Sequence, residues 1–230
     1  MMKINNLTVT YGDGTKAVDT VSFTINTGEN VALIGANGAG KTSLLLSLVG
    51  VLYPAAGEVS LPGLTLGKKT LREIRSRVGM AFQNPDDQLF MPNIYEDVAF
   101  GPRSFGLSES DVKKRADSAL SKLGILALAE RSPLKLSGGE KRLAAIATIL
   151  ALSPDYILFD EPTAYLDPRS RRNLTAAIHA LPQGKLIATH DLPFAETVCS
   201  RVLLMQNGKL AADGGIEILR DSAALEAAGL

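Results

Sequence analysis

The sequence has a single cysteine, no excess of either charge and no long apolar run, and each of these absences excludes a class of protein. Cys199 can form no internal disulfide and no cysteine-based metal site, which is typical of a reducing, cytosolic location. Lys plus Arg and Asp plus Glu number 24 each, so no net field attracts nucleic acid or an anionic membrane. The longest apolar stretch, residues 143–152, is too short to cross a bilayer, and residues 1–6 lack the apolar core of a signal peptide. We therefore expect any membrane role to come through a partner protein.

The apolar segments that are present are short, and helical patterns separate several of them. Five segments predict strands of a buried sheet: residues 31–34, 78–82, 156–159, 185–189 and 202–205. Strands that alternate with helices indicate an α/β fold with a mainly parallel sheet. We expect one domain over residues 1–230, with an antiparallel β-subdomain (about 1–28 and 56–68, including one strand over 57–66) and a helical insert (about 84–151).

A glycine-rich segment joins the strand over residues 31–34 to a helix. Residues 35–42 match the phosphate-loop pattern G-x-x-x-x-G-K-S/T in this strand-to-helix context. The glycines let backbone N–H groups turn towards phosphate oxygens, and the helix N-terminus adds partial positive charge. Lys41 can reach the β- and γ-phosphates, and Thr42 offers a hydroxyl to Mg²⁺. The alternative is an ordinary glycine-rich turn. The predicted ATP-binding residues of this segment are Gly35, Ala36, Asn37, Gly38, Ala39, Gly40, Lys41, Thr42 and Ser43.

Two acidic residues follow the strand over residues 156–159. In parallel sheets ligands bind at the carboxyl ends of the strands, which is where Asp160 and Glu161 stand. Asp160 is predicted to hold Mg²⁺ and Glu161 to orient and polarise the attacking water, since carboxylates suit both a hard cation and a water proton. An acidic turn at a strand end is the alternative, and the phosphate loop in the same chain favours the catalytic interpretation.

A second candidate anion site precedes the apolar helix over residues 140–152. Ser137 and Glu140 have the spacing of a capping box, which is a common structural device. Gly138 and Gly139 between them also leave backbone N–H groups open to an anion. With Leu136 in front, these residues resemble the signature of the ATP-binding cassette family, Leu-Ser-Gly-Gly followed by Gln or Glu. The resemblance covers essentially the whole chain and implies a phosphate-loop ATPase fold in which the remainder of the domain is a RecA-like catalytic core.

The resemblance assigns roles to several further residues. Tyr11 stands where the family places an aromatic ring that stacks on adenine. Gln83 looks like the glutamine that contacts Mg²⁺ and the lytic water, so that Thr42, Gln83 and Asp160 form the expected Mg²⁺ set. His190, at the end of the strand over residues 185–189, resembles the switch histidine that touches the γ-phosphate. Glu161, His190 and Lys41 are then the expected catalytic residues.

The family works as a head-to-tail dimer, in which ATP lies between one subunit's phosphate loop and the other's signature. By this resemblance, Ser137, Gly138, Gly139 and Glu140 would bind ATP in trans. Residues 164–167 resemble the segment that crosses to the partner cassette, with Asp167 at the interface. Asp167 followed by proline also reads as an ordinary helix N-cap. Tyr165 departs from the smaller residue common at its position, which affects the interface packing rather than the chemistry.

Residues 82–90 narrow the resemblance to the ATPases of energy-coupling-factor transporters, which import vitamins and transition-metal ions. Residues 163–168 and 185–191 look most like the cobalt and nickel branch. The expected partners are a second copy of the chain, a transmembrane coupling component and a substrate-binding membrane component, with the chain peripheral at the cytoplasmic face of the membrane. We expect no site for the transported metal on this chain, because no His, Cys and carboxylate cluster suggests one.

Two other classes and one other substrate stay open on the sequence. An importer of the same type could carry a vitamin instead of a metal. An ATP-binding cassette that acts on DNA or ribosomes usually carries a long coiled-coil insert, two cassettes or a basic surface, none of which is visible here. A phosphotransferase built on a phosphate loop would leave residues 136–140 without a role.

Overall fold

A computed structural model describes all residues, 1–230, as two compact units. The first unit comprises Met1–Met80, Asp155–Glu161 and Pro182–Leu230, and the second comprises Ala81–Pro154 and Pro162–Leu181. The strands are β1 (Met2–Thr10), β2 (Lys16–Ile25), β3 (Asn30–Ile34), β4 (Ala56–Leu61), β5 (Leu64–Thr65), β6 (Val78–Ala81), β7 (Tyr156–Asp160), β8 (Gly184–Ala188), β9 (Arg201–Gln206) and β10 (Lys209–Gly215). The helices are α1 (Lys41–Leu48), α2 (Leu71–Arg77), α3 (Ile94–Ser104), α4 (Glu109–Lys122), α5 (Gly138–Leu150), α6 (Pro168–Ala180), α7 (Leu192–Val198) and α8 (Ser222–Ala227).

The strands form two sheets. The smaller one has the order β2-β1-β4-β5 and is antiparallel throughout. The larger one has the order β10-β9-β3-β8-β7-β6, in which β3 is parallel to both β8 and β9, and β7 is parallel to β8. The antiparallel β10 closes one edge. The predicted α/β class, with a mainly parallel sheet and an N-terminal antiparallel sheet, is confirmed.

The larger sheet has an apolar centre because its middle strands are buried on both faces. Every residue of β7 and β8 is buried, and residues 31–34 of β3 are fully buried. The β1 strand instead alternates, with Met2, Ile4, Leu7 and Val9 buried, as a strand with one solvated face does. Its alternation shifts at Asn6, where a φ of 47° accompanies a break in register. Because the middle strands of the larger sheet are buried and paired, the positions of their carboxyl ends are fixed.

One predicted strand is wrong and several elements were not predicted. The strand expected over residues 57–66 is a hairpin, β4 and β5, because Pro62 and Gly63 turn the chain and Gly63 has a φ of 75°. The helix α2, the edge strand β10 and the C-terminal α8 had no predicted counterpart. The second unit contains α3 to α6, and so it includes α6 as well as the predicted insert. No helix has the length and apolar character needed to span a bilayer.

Candidate active site

The phosphate loop lies between β3 and α1 in the first unit, and glycines give it its shape. Gly38 and Gly40 have φ values of 81° and 101°, in the left-handed region that glycine adopts without strain. A Cβ atom at Gly40 would also meet the carbonyl oxygen of Ala17 at 2.2 Å. Gly40 is the N-cap of α1 and makes no side-chain cap hydrogen bond, so the backbone amides of the first turn face the loop without a protein side chain on them. This is the geometry of an anion site.

Lys41 is buried, and its side chain folds back onto the first residues of the phosphate loop. Its ammonium donates hydrogen bonds to the carbonyl oxygens of Gly35, at 2.6 Å, and Ala36, at 3.0 Å. Burial lowers the pKa of Lys41, and the nearby carboxylates of Glu161 and Asp160 oppose that shift. A cation held in this way, with little water around it, is well placed to meet a phosphate group.

Thr42 and Asp160 form a pair of hard oxygen ligands, although they lie far apart in sequence. The Thr42 hydroxyl donates to a carboxylate oxygen of Asp160 at 2.8 Å. Burial, above all, raises the pKa of the Asp160 carboxyl, and the hydrogen bond from Thr42 works against that rise. A hydroxyl oxygen and a carboxylate oxygen this close together are ligands that Mg²⁺ prefers, so the residues present fit this ion.

Glu161 has a strained backbone and a firmly held side chain. Its φ is 46°, unusual for a non-glycine residue, and its N–H donates to the Ala188 carbonyl at 2.9 Å. One carboxylate oxygen accepts from the Thr189 hydroxyl at 3.2 Å and from the His190 N–H at 3.4 Å. The other lies 2.9 Å from Nδ1 of His190, whose side chain is 60% exposed against 10% for Glu161. The residues that follow β8 thus hold the nearly buried carboxylate of Glu161, which follows β7, beside an exposed imidazole.

Tyr11 lies at the end of β1 and contacts the helix that follows the phosphate loop. Its hydroxyl oxygen is 2.7 Å from the hydroxyl oxygen of Ser43, and the residue keeps 42% of its surface exposed. The hydrogen bond places an exposed aromatic side chain close to the start of α1. An aromatic ring next to a helix N-terminus suits a ligand that has a flat apolar part and an anionic part.

The first unit alone assembles this cluster: Tyr11, residues 35–43, Asp160, Glu161, Thr189 and His190. Thr189 is fully buried and was not predicted, although it directly precedes His190 and so could have been read from its position at a strand end. Gln83 is exposed and belongs to the second unit, where it takes no part in these contacts.

In the second unit, Ser137 and Glu140 form the capping box at the start of α5. Ser137 N–H donates to the Glu140 carboxylate at 2.8 Å, and the Glu140 N–H donates to the Ser137 hydroxyl at 3.3 Å. The pKa of Glu140 is lowered, mainly because its carboxylate accepts the hydrogen bond from the Ser137 N–H. Both side chains are therefore engaged in holding the helix start.

The two glycines of this helix start differ in their surroundings. A Cβ atom at Gly139 would lie 2.7 Å from the hydroxyl oxygen and 2.8 Å from the Cβ of Ser170, so α5 approaches α6 closely there. A Cβ atom at Gly138 would meet only a Leu166 methyl group at 3.7 Å, and Gly138 is exposed. Gly139 thus serves packing inside the unit, and Gly138 leaves the helix start open.

Asp167 and Tyr165 lie on the segment between Thr163 and α6. Asp167 is the N-cap of α6 and accepts hydrogen bonds from the N–H groups of Arg169, at 2.9 Å, and Ser170, at 3.0 Å. Tyr165 has a φ of 61° and is 95% exposed. The Asp167 carboxylate has a local structural role, whereas an aromatic side chain held out by a strained backbone has no packing role within its own unit.

A helical turn, Pro85–Asp87, sits on α5 and presents its far side to solvent. Lys141 and Asp86 form an ion pair at 2.6 Å, and the Gln88 amide donates to the Ala145 carbonyl and the Thr148 hydroxyl, both at 2.8 Å. Beyond the turn, Phe90 is 64% exposed and packs edge-to-face on Phe100, with ring centroids 5.1 Å apart. We call Phe90 and Phe100 the aromatic pair.

Comparison with known proteins agrees with these features. A sequence model of the ABC transporter family matches residues 18–164. The chain is 46% identical over 224 residues to the cobalt import ATP-binding protein CbiO of Syntrophus aciditrophicus, covering 95% of this chain and 80% of that one. It is 42% identical over 232 residues to the energy-coupling factor transporter ATP-binding protein EcfA of Carboxydothermus hydrogenoformans, covering 100% of this chain and 86% of that one.

A solved structure is similar over nearly the whole chain. It is cbiO1 from Clostridium perfringens, described as part of the ABC transporter complex cbiONQ. The TM-score is 0.86 and the sequence identity 32%, with 97% of this chain and 91% of that chain covered. The predicted cassette fold is therefore confirmed.

Proposed function

Since the chain belongs to the ABC transporter family and is an ATP hydrolase of that type, we propose that it drives an energy-coupling-factor importer for a transition-metal ion, cobalt first and nickel next. The observation that carries the ATPase part is the contact of Thr42 with Asp160 beside the held carboxylate of Glu161. Asp160 and Glu161 lie at the carboxyl end of the parallel strand β7, and Thr42 lies at the start of α1, at the end of the phosphate loop.

The phosphate loop would bind the β- and γ-phosphates of ATP. The backbone N–H groups of Gly38, Gly40 and the start of α1 supply donors, and Lys41 supplies the charge. Lys41 would exchange its hydrogen bonds to the Gly35 and Ala36 carbonyls for phosphate oxygens. This exchange is favourable because the ammonium is short of water and anionic ligands stabilise its charged form. The Tyr11 ring would stack on the adenine.

Thr42 and Asp160 would hold Mg²⁺. Mg²⁺, when bound, neutralises charge on the phosphate chain. The raised pKa of Asp160 means that protons compete with the ion for this carboxylate at a higher pH than for an ordinary aspartate. The Thr42 hydroxyl, which donates to Asp160, can turn an oxygen lone pair to the ion.

Glu161 would orient and polarise the water that attacks the γ-phosphate. Three hydrogen bonds hold its carboxylate, so the side chain is restricted to few conformations. Its oxygens keep lone pairs that can accept hydrogen bonds from a water. His190 would contact the γ-phosphate through its exposed ring, with Nδ1 tied to Glu161. The histidine thereby links the state of the phosphate to the position of the base.

Two copies of the chain would enclose ATP between them, head to tail. Each chain has two helix N-termini suited to phosphate, one at Lys41 and one at Gly138. In the head-to-tail dimer each ATP would contact the Lys41 terminus of one subunit and the Gly138 terminus of the other. Gly138 is exposed and has room around it, as a site completed by another subunit requires. The exposed Tyr165 and the Asp167 segment would lie at the same interface. ATP binding then favours closure, and hydrolysis releases it.

The membrane partner would dock on the aromatic pair and the adjacent turn of the second unit. Phe90 and Phe100 offer an exposed apolar contact, and the exposed Asp87 beside them offers a negative charge. A transmembrane coupling component with an apolar, basic segment fits this surface. The proposed location is the cytoplasmic face of the membrane, with a substrate-binding membrane component completing the importer. The name EcfA of one relative states no substrate, which keeps a vitamin importer as the second candidate.

The variant Glu161→Gln tests the catalytic and dimer proposals. It keeps the size and one acceptor oxygen, so ATP should bind normally while hydrolysis falls by about 10²-fold or more. The unspent ATP should trap a dimer, visible as a doubled mass in size-exclusion chromatography with light scattering in ATP and Mg²⁺. Glu58→Gln, an exposed glutamate of β4, is the matched control. Normal turnover by Glu161→Gln would remove Glu161 as the base, and a monomer in ATP would contradict the shared site.

The substrate needs a second experiment. The tagged chain is captured with its membrane components from solubilised membranes of its host, the complex is reconstituted in vesicles with ATP inside or outside, and uptake of labelled Co²⁺, Ni²⁺ and vitamins is compared. ATP-dependent Co²⁺ uptake that disappears with Glu161→Gln is the expected result. Uptake of a vitamin and of neither metal would replace the metal importer by the second candidate.

A further inference from the structure

The end of β9 and the turn after it support the phosphate loop, although they are far from it in sequence. The two ends of the loop, Gly35 and Gly40, both lie against β9. A Cβ atom at Gly35 would meet the Met205 carbonyl oxygen at 2.3 Å, and one at Gly40 would meet the Met205 methyl carbon at 2.9 Å. The end of β9 therefore touches the loop where it begins and where it turns into α1.

The turn after β9 adds two hydrogen bonds to this support. Gly208 N–H donates to the Ala39 carbonyl at 3.0 Å, and the Gly208 carbonyl accepts from the Asp19 N–H at 2.8 Å. The same residue thus joins the phosphate loop to β2. Gly208 is buried, and a Cβ atom there would come within 3.0 Å of the Ala17 carbonyl oxygen.

The conformation of this turn is set locally and is stiff. Lys209 pairs with Gln206, so only Asn207 and Gly208 connect β9 to β10. Their φ values are 48° and 78°, as in the two-residue hairpin turn for which Asn-Gly is the preferred sequence. A tight hairpin at the edge of a six-stranded sheet gives a rigid base for a loop made mostly of small residues.

We propose that residues 205–208, which we call the loop brace, position the phosphate loop for nucleotide binding, with Gly208 as the positioning residue. The brace touches no nucleotide. It holds the Ala39 carbonyl and the two end glycines in place, so that the N–H groups of Gly38 and Gly40 are already aimed before the phosphates arrive. Preformed donors bind more tightly than donors that must be ordered on binding. The inference rests on the proposed ATP site.

The test compares Gly208→Ala with Gly63→Ala in the full chain. Gly63 has nearly the same φ, 75°, but a Cβ atom there meets nothing within 4 Å, so the control has the same backbone strain without the contact. Relative to the control, Gly208→Ala should raise KM for ATP, and Kd for ADP measured by calorimetry, about fivefold, the loss expected when one ordering hydrogen bond is weakened. Its kcat should stay within about twofold, because no reacting group is altered.

A second pair of variants decides the matter if Gly208→Ala does not fold. One glycine is inserted between Asn207 and Gly208, and in the control one is inserted between Pro62 and Gly63. The first insertion displaces the Gly208 N–H from Ala39 and should raise KM for ATP at least as much. Equal nucleotide affinity in the variants and their controls would overturn the brace. A wild-type chain that binds no ATP would instead refute the proposed function, so the two failures are distinguishable.

Discussion

Replacing each glycine of the α5 start by alanine should separate packing from nucleotide binding. In Gly139→Ala the new methyl group lies 2.8 Å from the Ser170 Cβ, against the roughly 3.5–4.0 Å of a normal carbon–carbon contact. Rotation of the Ser170 hydroxyl relieves the contact with oxygen but not this one. The helices α5 and α6 must therefore move apart by about 1 Å.

The expected loss follows from that overlap. Overpacking of this size costs about 1–3 kcal/mol, and the better helix propensity of alanine returns at most about 1 kcal/mol. A net loss of about 1–2 kcal/mol in a chain of this size lowers Tm by about 2–8 °C. Gly138→Ala has only a 3.7 Å contact and should leave Tm unchanged or slightly higher.

Activity should show the opposite pattern. In the proposed dimer, a methyl group at the exposed Gly138 would stand where the γ-phosphate bound to the partner subunit approaches. Gly138→Ala should therefore lower kcat by about tenfold or more, as when one donor to a reacting phosphate is displaced. Gly139→Ala, assayed below its Tm, should keep most of its kcat. The assays are differential scanning fluorimetry and phosphate release on the same preparations.

A rescue variant completes this design. Ser170→Gly removes the Cβ that the Gly139→Ala methyl group meets, so the double variant should recover the Tm of Ser170→Gly alone. Equal effects of both alanines on Tm, or an undiminished kcat in Gly138→Ala, would refute the division of roles between the two glycines.

Two further predictions concern the nucleotide site. Burial lowers the pKa of Lys41 and phosphates raise it again, so ATP binding should take up protons in alkaline buffers and weaken as pH rises. Calorimetry in buffers of different ionisation enthalpy measures the proton uptake. Lys41→Arg, which stays charged, should show neither the proton uptake nor the pH dependence. A pH dependence unchanged in Lys41→Arg would show that another group titrates. Tyr11→Ala should raise KM for ATP about tenfold through lost stacking, while Tyr11→Phe, which loses only the contact with Ser43, should stay near wild type; equal losses would assign the effect to the hydroxyl.

The parts of the site that are contiguous in sequence were predictable. The phosphate loop and the Asp160-Glu161 pair each follow a short apolar strand, and parallel pairing brings such strand ends together. The α/β fold followed from the same alternation. The capping box at Ser137 was also readable, because its spacing is local.

Contacts between distant segments were not predictable from local patterns. The role of Gly139 depends on Ser170, which belongs to another helix, and the strained backbone of Glu161 depends on the Ala188 carbonyl. The hairpin signal at Asn207-Gly208 was present in the sequence, but its link to Ala39 exists only once β9 lies next to β3. Likewise, Pro62 and Gly63 marked a turn inside what reads as one strand.

The two carbonyl partners of Lys41 have a consequence for which nucleotides the chain retains. The ammonium already donates two of its three hydrogen bonds, to the carbonyl oxygens of Gly35 and Ala36, so a ligand must offer more than two neutral oxygens to draw it away. In the proposed site Lys41 meets the second and third phosphates of ATP, which a compound with one phosphate lacks. We therefore expect the loop to set a minimum length of phosphate chain, below which adenine compounds compete poorly with ATP even when their base is stacked.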